Sequence, residues 1–460
     1  MELPSYLRSI DQVLASSAPV AAPTLPVTSL ASPLVQQPTH KKLKFMLVST
    51  HAQQFTGYSK VSYGILEQLS KHSFLEVTHF GFQKHPQSPA DFRKYPSNVD
   101  VIDAALLEHA QQQALQQAQQ PQQQGFGYQL LMDVIKKKTP DVVMLYNDMA
   151  VVTRFLEEIR KASITRTFKI WVYCDQVYEC QLQGMIDLLN RDADRVFAFT
   201  SYWKKQLKEQ GVTRPLSILG HGFDPKTFYT VPRDLARKSL KLPEDAFVIM
   251  NLNRNQPRKR QDIMIMAFVE LVCKYPTKPI ILLCICDKGE KGGWWLFEIF
   301  VRELKKRGVP IEQFGNRLMI SSQDMVFKDE DINVLYNIAD VGISTAEGEG
   351  WGLCTFEQMG VGIPQVVPDI GGYKEYCNAS NSVLVKPKYR YYMPSVFSPV
   401  GGEAHACDPH DVCLALEEYV NDTTKKLSHG VKAKETVLKY SWSTVTEELV
   451  KRLKEELEEL

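Results

Sequence analysis

The sequence has no apolar run long enough to cross a bilayer; stretches such as residues 279–286 fall far short of the ~20 residues that a span requires. It also has almost no charge bias. Lys plus Arg number 54 against 53 Asp plus Glu, a net charge of +1, so nothing draws a nucleic acid to the chain as a whole and any anion site must be local. Cysteine is scattered, nine residues with no C-x-x-C step. An odd, unpaired set argues against a disulfide framework and for reduced thiols in a cytosol-like compartment. The opening Met1-Glu2-Leu3-Pro4 has neither the basic nor the apolar region of a secretory signal. The expected location is therefore cytoplasmic, with peripheral membrane contact left open. What is present is globular in character: 44% apolar and 23% charged residues over 460 positions, room for about two to four domains.

Residues 16–39 hold five prolines and no charge, which breaks regular structure, so residues 1–40 are expected to be a flexible tail and linker, with a short helix conceivable over 6–14. From residue 44 the pattern changes to short β-rich runs alternating with helical periodicity. Strands are expected at 45–49, 75–82, 141–146, 168–174, 196–200 and 216–219, with a crossover helix over 60–71 marked by Val61, Ile65 and Leu69. A second set follows at 247–252, 279–286, 317–321, 341–345, 364–367 and 383–385, with helices over 262–274, 294–307, 330–338 and 411–420. Such alternation implies two doubly wound parallel sheets, an N-terminal domain over 41–232 and a C-terminal domain over 233–440, with ligands bound outside the carboxyl ends of the strands. Residues 441–460 place Val445, Leu449, Leu453 and Leu457 along one helical face behind a Ser441 or Ser443 cap. The Gln-rich run 111–124 reads as a solvated helix or loop ended by Pro121.

The most informative stretch is Glu347-Gly-Glu-Gly-Trp-Gly-Leu-Cys-Thr-Phe-Glu357. Gly350 and Gly352 would weaken one continuous helix, so Glu349 is assigned to a flexible loop and Glu357 to a helix beginning near Cys354. The amide groups at that helix start suit a diphosphate. A basic turn, Asn253-Arg254-Asn255-Gln-Pro-Arg258-Lys259-Arg260, follows the first strand of the second domain. Behind the first strand of the chain, Gly57-Tyr58-Ser59-Lys60 opens a helix, and the G-x-G-x-x-G of a dinucleotide-binding dehydrogenase is absent. Asp175 ends a strand, and His221-Gly-Phe-Asp224 closes the first domain.

Glu349-x7-Glu357, with Gly362-Ile-Pro364 and Gly371-Gly372-x-x-Glu375 after it, closely resembles the family-4 retaining glycosyltransferases of the GT-B fold, α/β proteins with two Rossmann-like domains facing across a cleft. The resemblance implies that Glu357 accepts hydrogen bonds from the ribose hydroxyls of an NDP-sugar and that Glu349 lies against the transferred sugar. It places Arg254 and Lys259 on the diphosphate, with Arg258 as a further candidate. Arg260 departs from the pattern, standing where glycine is common. Gly57 and Tyr58 match a loop that closes over the donor phosphate, Asp175 faces the reacting sugar and acceptor, and His221, Gly350, Gly352 and Leu353 join the donor side. The implied reaction moves a hexose to a hydroxyl of a glycan, lipid or protein-linked acceptor, with no cofactor and no obligatory metal. The alternatives are a noncatalytic nucleotide-sugar or glycan-binding protein of the same fold and a sugar-nucleotide epimerase.

Three features are set aside. The run His405-x-Cys407-x-x-His410-x-x-Cys413 looks like a ligand cluster but overlaps the helix start at Asp408-Pro409, so no metal is expected there. Trp294-Trp295 reads as packing at a helix start, and Lys136 to Lys138 as a dipole-compatible helix end.

Overall fold

The computed structural model describes residues 41–89, 91–114, 125–286, 292–321 and 327–460. The expected tail over 1–40 and most of the Gln-rich run lie outside them. Seven strands form the first sheet: β1 (Leu43–Thr50), β2 (Leu75–Phe82), β3 (Val99–Asp103), β4 (Val142–Asp148), β5 (Lys169–Asp175), β7 (Arg195–Ala198) and β8 (Leu216–Ile218), with the short β6 (Glu179–Gln181) standing apart. All pair in parallel in the order β3-β2-β1-β4-β5-β7-β8. The second sheet contains β9 (Phe247–Asn251), β10 (Ile280–Cys284), β11 (Leu318–Ile320), β12 (Val341–Ile343), β13 (Gln365–Pro368) and β14 (Ser382–Val385). It is also parallel, ordered β11-β10-β9-β12-β13-β14.

Parallel sheets covered by helices on both faces need runs of apolar residues rather than alternation. Strand β1 is accordingly buried at all but one position, and Val142 to Tyr146 are buried without interruption. Both strand orders reverse beside the first strand of the lobe, β1 or β9. Loops after those strands splay apart there, and the crevice opens at their carboxyl ends.

Two features depart from the sequence reading. Strand β3 is an additional edge strand of the first sheet; it has no fully apolar run, with Asp100 and Asp103 within five residues, and β2 decides its state by pairing. The second is a three-stranded antiparallel sheet in which β15 (Tyr389–Tyr392) and β16 (Gly401–Ala406) from the C-terminal half pair with β6 from the N-terminal half, in the order β15-β16-β6.

The two halves are also joined by the chain's end. Ser441 caps the helix Trp442–Glu459, its hydroxyl 3.1 Å from the Thr444 amide. Phe223 donates its amide to the Tyr440 carbonyl at 2.7 Å. The Trp442 ring then lies against Gly64 and Gly222, where any Cβ would collide with the indole. Leu449 and Leu453 are buried at the first sheet's side, and the helix contacts β1 and the helix Gly57–Leu69.

Candidate functional site

Loops from both lobes meet at the carboxyl ends of the two sheets. After β1, Thr56 caps the helix Gly57–Leu69 in a reciprocal box with Ser59. That cap places the Tyr58 hydroxyl on Asp175 of the same lobe and sends Lys60 across to the second. Gly57 comes so near Leu353 that a Cβ would lie 3.0 Å from its Cδ1, so the two lobes touch at this point.

After β9 the basic turn runs as a short 3-10 segment, Pro257–Lys259, and Arg260 takes left-handed backbone at φ 45°. The departure from glycine now has a physical account. Such a backbone is costly for a side chain with a Cβ, and Arg260 offsets the cost through two hydrogen bonds to Asp262, at 3.0 and 2.9 Å, and one to buried Glu347 at 3.3 Å. Thr345 fixes the turn by donating to the carbonyls of Lys259 and Arg260.

After β12 the loop carrying Glu349 leads into the helix Leu353–Gly360, one residue earlier than expected. Gly352 precedes it at φ 89°, which a glycine adopts without strain. The loop is pressed on both sides. Gly372 donates its amide to the Glu349 carbonyl at 2.9 Å, and a Cβ on Gly372 would strike the Gly350 carbonyl. Gly350 itself packs so tightly on the Asp175 carboxylate that a Cβ there would overlap it, and the Trp203 indole donates to the Gly350 carbonyl at 3.0 Å.

Within this frame Glu349 and Glu357 are both buried, 6% and 5% exposed. Glu349 is ion-paired with Lys259, and Arg258 stands 3.6 Å away. Burial works to raise its carboxyl, but Lys259 and Arg258 prevail and hold it below the usual carboxylate range. Glu357 has a partner that sequence reasoning missed. Lys60, from the other lobe, donates to both its oxygens at 2.8 and 2.9 Å, and the Tyr336 hydroxyl donates at 2.7 Å. Burial alone would lower the Lys60 ammonium, yet Glu357 and Asp329 raise it above the ordinary lysine value. Arg93 grips Asp329 through two bonds of 2.9 Å. The one signal in the sequence was a lysine at the fourth position of a helix, where the dipole disfavours a cation.

Asp175 receives the Tyr58 hydroxyl at 2.8 Å, while its other oxygen is buried with no hydrogen-bond partner among the described residues. Burial first, and Glu349 in addition, push its carboxyl up to about 6 against the pull of Arg258. Arg254 is exposed, makes no hydrogen bond or ion pair among the described residues, and lies within electrostatic reach of Tyr58 and Arg258. His221 sits in aromatic packing against Trp351 and Phe199, 4.9 and 4.5 Å between ring centres. Burial lowers it to about 3, so its ring is neutral, and neither nitrogen has a hydrogen-bond partner among the described residues. A cavity of about 480 Å³ opens beside Glu357, lined by Lys60, Arg93, Asp329, Leu353 and Trp442 among others. The arrangement therefore gathers Tyr58, Asp175, Arg258, Lys259, Glu349 and Glu357 around one crevice. His221 is packed behind it, against Trp351.

Residues 232–391 match the Glycosyl transferases group 1 family. A D-inositol 3-phosphate glycosyltransferase of Thermobispora bispora is 23% identical over 269 residues, 58% of this chain and 57% of that protein. The corresponding protein of Corynebacterium urealyticum is 26% identical over 219 residues, 47% and 44% of the two chains. This chain thus spans about half the length of these curated relatives. A lipopolysaccharide 1,2-N-acetylglucosaminetransferase of Salmonella typhimurium is 21% identical over 337 residues, 70% of this chain and 75% of that one. Among solved structures, Anabaena Alr3699/HepE in complex with UDP and glucose superposes with a TM-score of 0.65 at 16% identity, covering 90% of this chain and all of that one. Sucrose-phosphate synthase from Thermosynechococcus elongatus gives 0.65 at 15%, covering 90% and 99%. The fold is GT-B. In it the crevice just described is the cleft between two Rossmann-like sheets. Among the described residues no helix is long and apolar enough to cross a membrane.

Proposed function

We propose that this chain is a metal-independent, retaining glycosyltransferase of family 4 that moves a hexose from an NDP-sugar to the hydroxyl of a glycan, lipid or protein-linked acceptor. The observation that carries the proposal is the convergence of Glu349 and Glu357 with Lys259 and Arg258 at the carboxyl ends of the second sheet, facing Tyr58 and Asp175 of the first. The family match and the names of the relatives agree with it.

In this reading the lobes part enough for Lys60 to release Glu357, whose carboxylate then accepts the two ribose hydroxyls; a carboxylate suits a vicinal diol because it only accepts. The diphosphate lies on Arg254 and Lys259, beside the amides opening the helix Leu353–Gly360 and under the Gly57 loop. Two cations and a helix start neutralise the departing diphosphate as the bond to the sugar breaks, and this is the main catalytic contribution. Glu349 and the glycines on either side of it shape the sugar subsite. Asp175 accepts the proton of the acceptor hydroxyl, which attacks the oxocarbenium-like sugar from the face the diphosphate leaves.

The donor is identified by thermal shift and calorimetry against UDP-, GDP- and ADP-sugars. Selective stabilisation by one nucleotide, followed by transfer to an acceptor, supports the reading; binding without turnover, or interconversion of donors without an acceptor, replaces it with one of the two alternatives. The pH profile supplies a second check. Because burial raises Asp175 to about 6, its proton-accepting carboxylate forms only above that pH. The transfer rate is expected to climb through pH 6 to a plateau, and Asp175→Asn to flatten that limb as well as lower it. A limb that persists unchanged in the Asn variant removes Asp175 from this role.

A further inference from the structure

The sequence cluster His405, Cys407, His410 and Cys413 does not assemble. Cys407 is buried against the Val385 carbonyl, His410 sits at the surface on Glu270, and Cys413 packs near Glu417. His405 instead meets two carboxylates from elsewhere. Its Nε2 is 3.4 Å from Glu403 Oε1 and 3.7 Å from Glu179 Oε2, and the three potential ligand atoms lie within 4.8 Å of one another.

We propose that Glu179, Glu403 and His405 bind one divalent transition-metal ion, of the Zn²⁺ or Mn²⁺ class, that pins the first lobe to the second. The site does not depend on the reaction assigned to the cleft.

Backbone register is the first support. In the antiparallel pairing of β16 with β6, Glu403 stands directly opposite Glu179. Like charges at directly opposed positions destabilise a sheet, and the Glu403 side chain is only 8% exposed, which leaves little water to screen it. His405, two residues along β16, shares that face because strand side chains alternate. The neighbouring Arg390 is 3.5 Å from Glu403 but two-thirds exposed on the edge strand β15, a placement that gives an ion pair little strength.

Ligand spacing is the second. Bonds of about 2.1 Å from a tetrahedral ion to nitrogen and carboxylate oxygen put neighbouring ligand atoms roughly 3.4 Å apart. The His405–Glu403 separation of 3.4 Å matches that edge, and the 3.7 Å to Glu179 is close to it. His405 Nε2 is buried and faces the two carboxylates at 3.4 and 3.7 Å without a hydrogen bond of good geometry to either. The Tyr202 hydroxyl donates to the other oxygen of Glu179 and orients the carboxylate from behind, the usual task of an outer partner at a metal site. One imidazole with two carboxylates, leaving a fourth position to water, suits Zn²⁺ or Mn²⁺ better than a hard ion such as Ca²⁺, which takes six or more oxygens.

A bound ion would do mechanical work at the cleft. Glu179 follows Asp175 by four residues, and β15, the other neighbour of β16, supplies the Tyr391 hydroxyl that Glu347 accepts. Joining β6 to β16 therefore ties the loop after β5 to the loop that carries Glu349.

The test uses the full chain, stripped with a chelator and titrated with Co²⁺. The expected result is one ion per chain, a visible d–d absorption without the near-ultraviolet bands of thiolate ligation, and a rise in Tm on metal addition. Glu179→Gln, Glu403→Gln and His405→Gln should each weaken uptake about tenfold or more and shrink the Tm increment. Circular dichroism of the metal-free proteins establishes that the variants compared are folded, and the three residues come from two strands of different lobes, so one poorly folded variant leaves two to decide. No uptake, thiolate bands as the main spectrum, or uptake unchanged in the folded variants overturns the proposal. So does stabilisation that follows acidification alone with no response to Co²⁺, which would identify a protonated His405 bridging the two carboxylates beside Arg390.

Discussion

Replacing Glu357 by glutamine is expected to lower transfer by roughly two orders of magnitude, chiefly through weaker donor binding. Two hydroxyl donors to a charged acceptor contribute about 1.5 kcal/mol or more each, so losing the charge costs ~3 kcal/mol, or about 100-fold. The ribose is held before and during the reaction alike, so KM for the donor should carry most of the change and kcat less. The change should not unfold the chain. The amide can still accept from Tyr336, and Lys60 keeps Asp329 at 3.5 Å. Alanine would be a poorer choice, since it removes the carboxylate that the buried Tyr336 hydroxyl donates to. Calorimetry with the nucleoside diphosphate alone, against far-ultraviolet circular dichroism, decides the matter. Parent-like affinity in a folded Glu357→Gln protein would remove this residue from the donor site.

Lys259→Met should have the larger effect on rate and also a cost in stability. Its ammonium is ion-paired with Glu349, and among the described residues Arg258, at 3.6 Å, is the cation that remains after its removal. Breaking a buried ion pair costs ~3–5 kcal/mol, and the second cation moves the expectation to the lower end. Removal of one charge-stabilising donor from a leaving group costs a further ~3 kcal/mol of barrier, about 100-fold or more in kcat. The two losses can be separated. In the double variant Lys259→Met/Glu349→Gln the unpaired carboxylate is gone, so the urea midpoint should recover while transfer stays low. Recovery of both would mean that Lys259 acts only by neutralising the buried Glu349 carboxylate.

Much of the scaffold was legible because its signals are local. Strands of a doubly wound sheet are short apolar runs, and the expected 75–82 coincides with β2. The second sheet's strands were each located to within a few residues. The loop carrying Glu349 was legible for the same reason: Gly350 and Gly352 weaken a continuous helix, and the structure turns from loop to helix at Leu353. What the sequence did not show depends on partners far along the chain. Strand β3 exists because β2 offers it an edge. The β15-β16-β6 sheet needs two segments more than two hundred residues apart, and no periodicity announces such a pairing. His405 shows the contrast most sharply: its neighbours in sequence, Cys407, His410 and Cys413, are not its neighbours in space, while Glu179 is.

By itself the sequence determined the alternation of strands and helices, the placing of Glu349 on a loop and Glu357 on a helix, and the basic turn after β9, since backbone preference and burial periodicity act over a few residues. Closure of the two sheets decided the rest: that Lys60 reaches Glu357 across 297 positions, that Lys259 settles on Glu349, and that Asp175 is buried enough to titrate near 6. Charge pairing and desolvation depend on distance in space, and only the folded chain sets that distance.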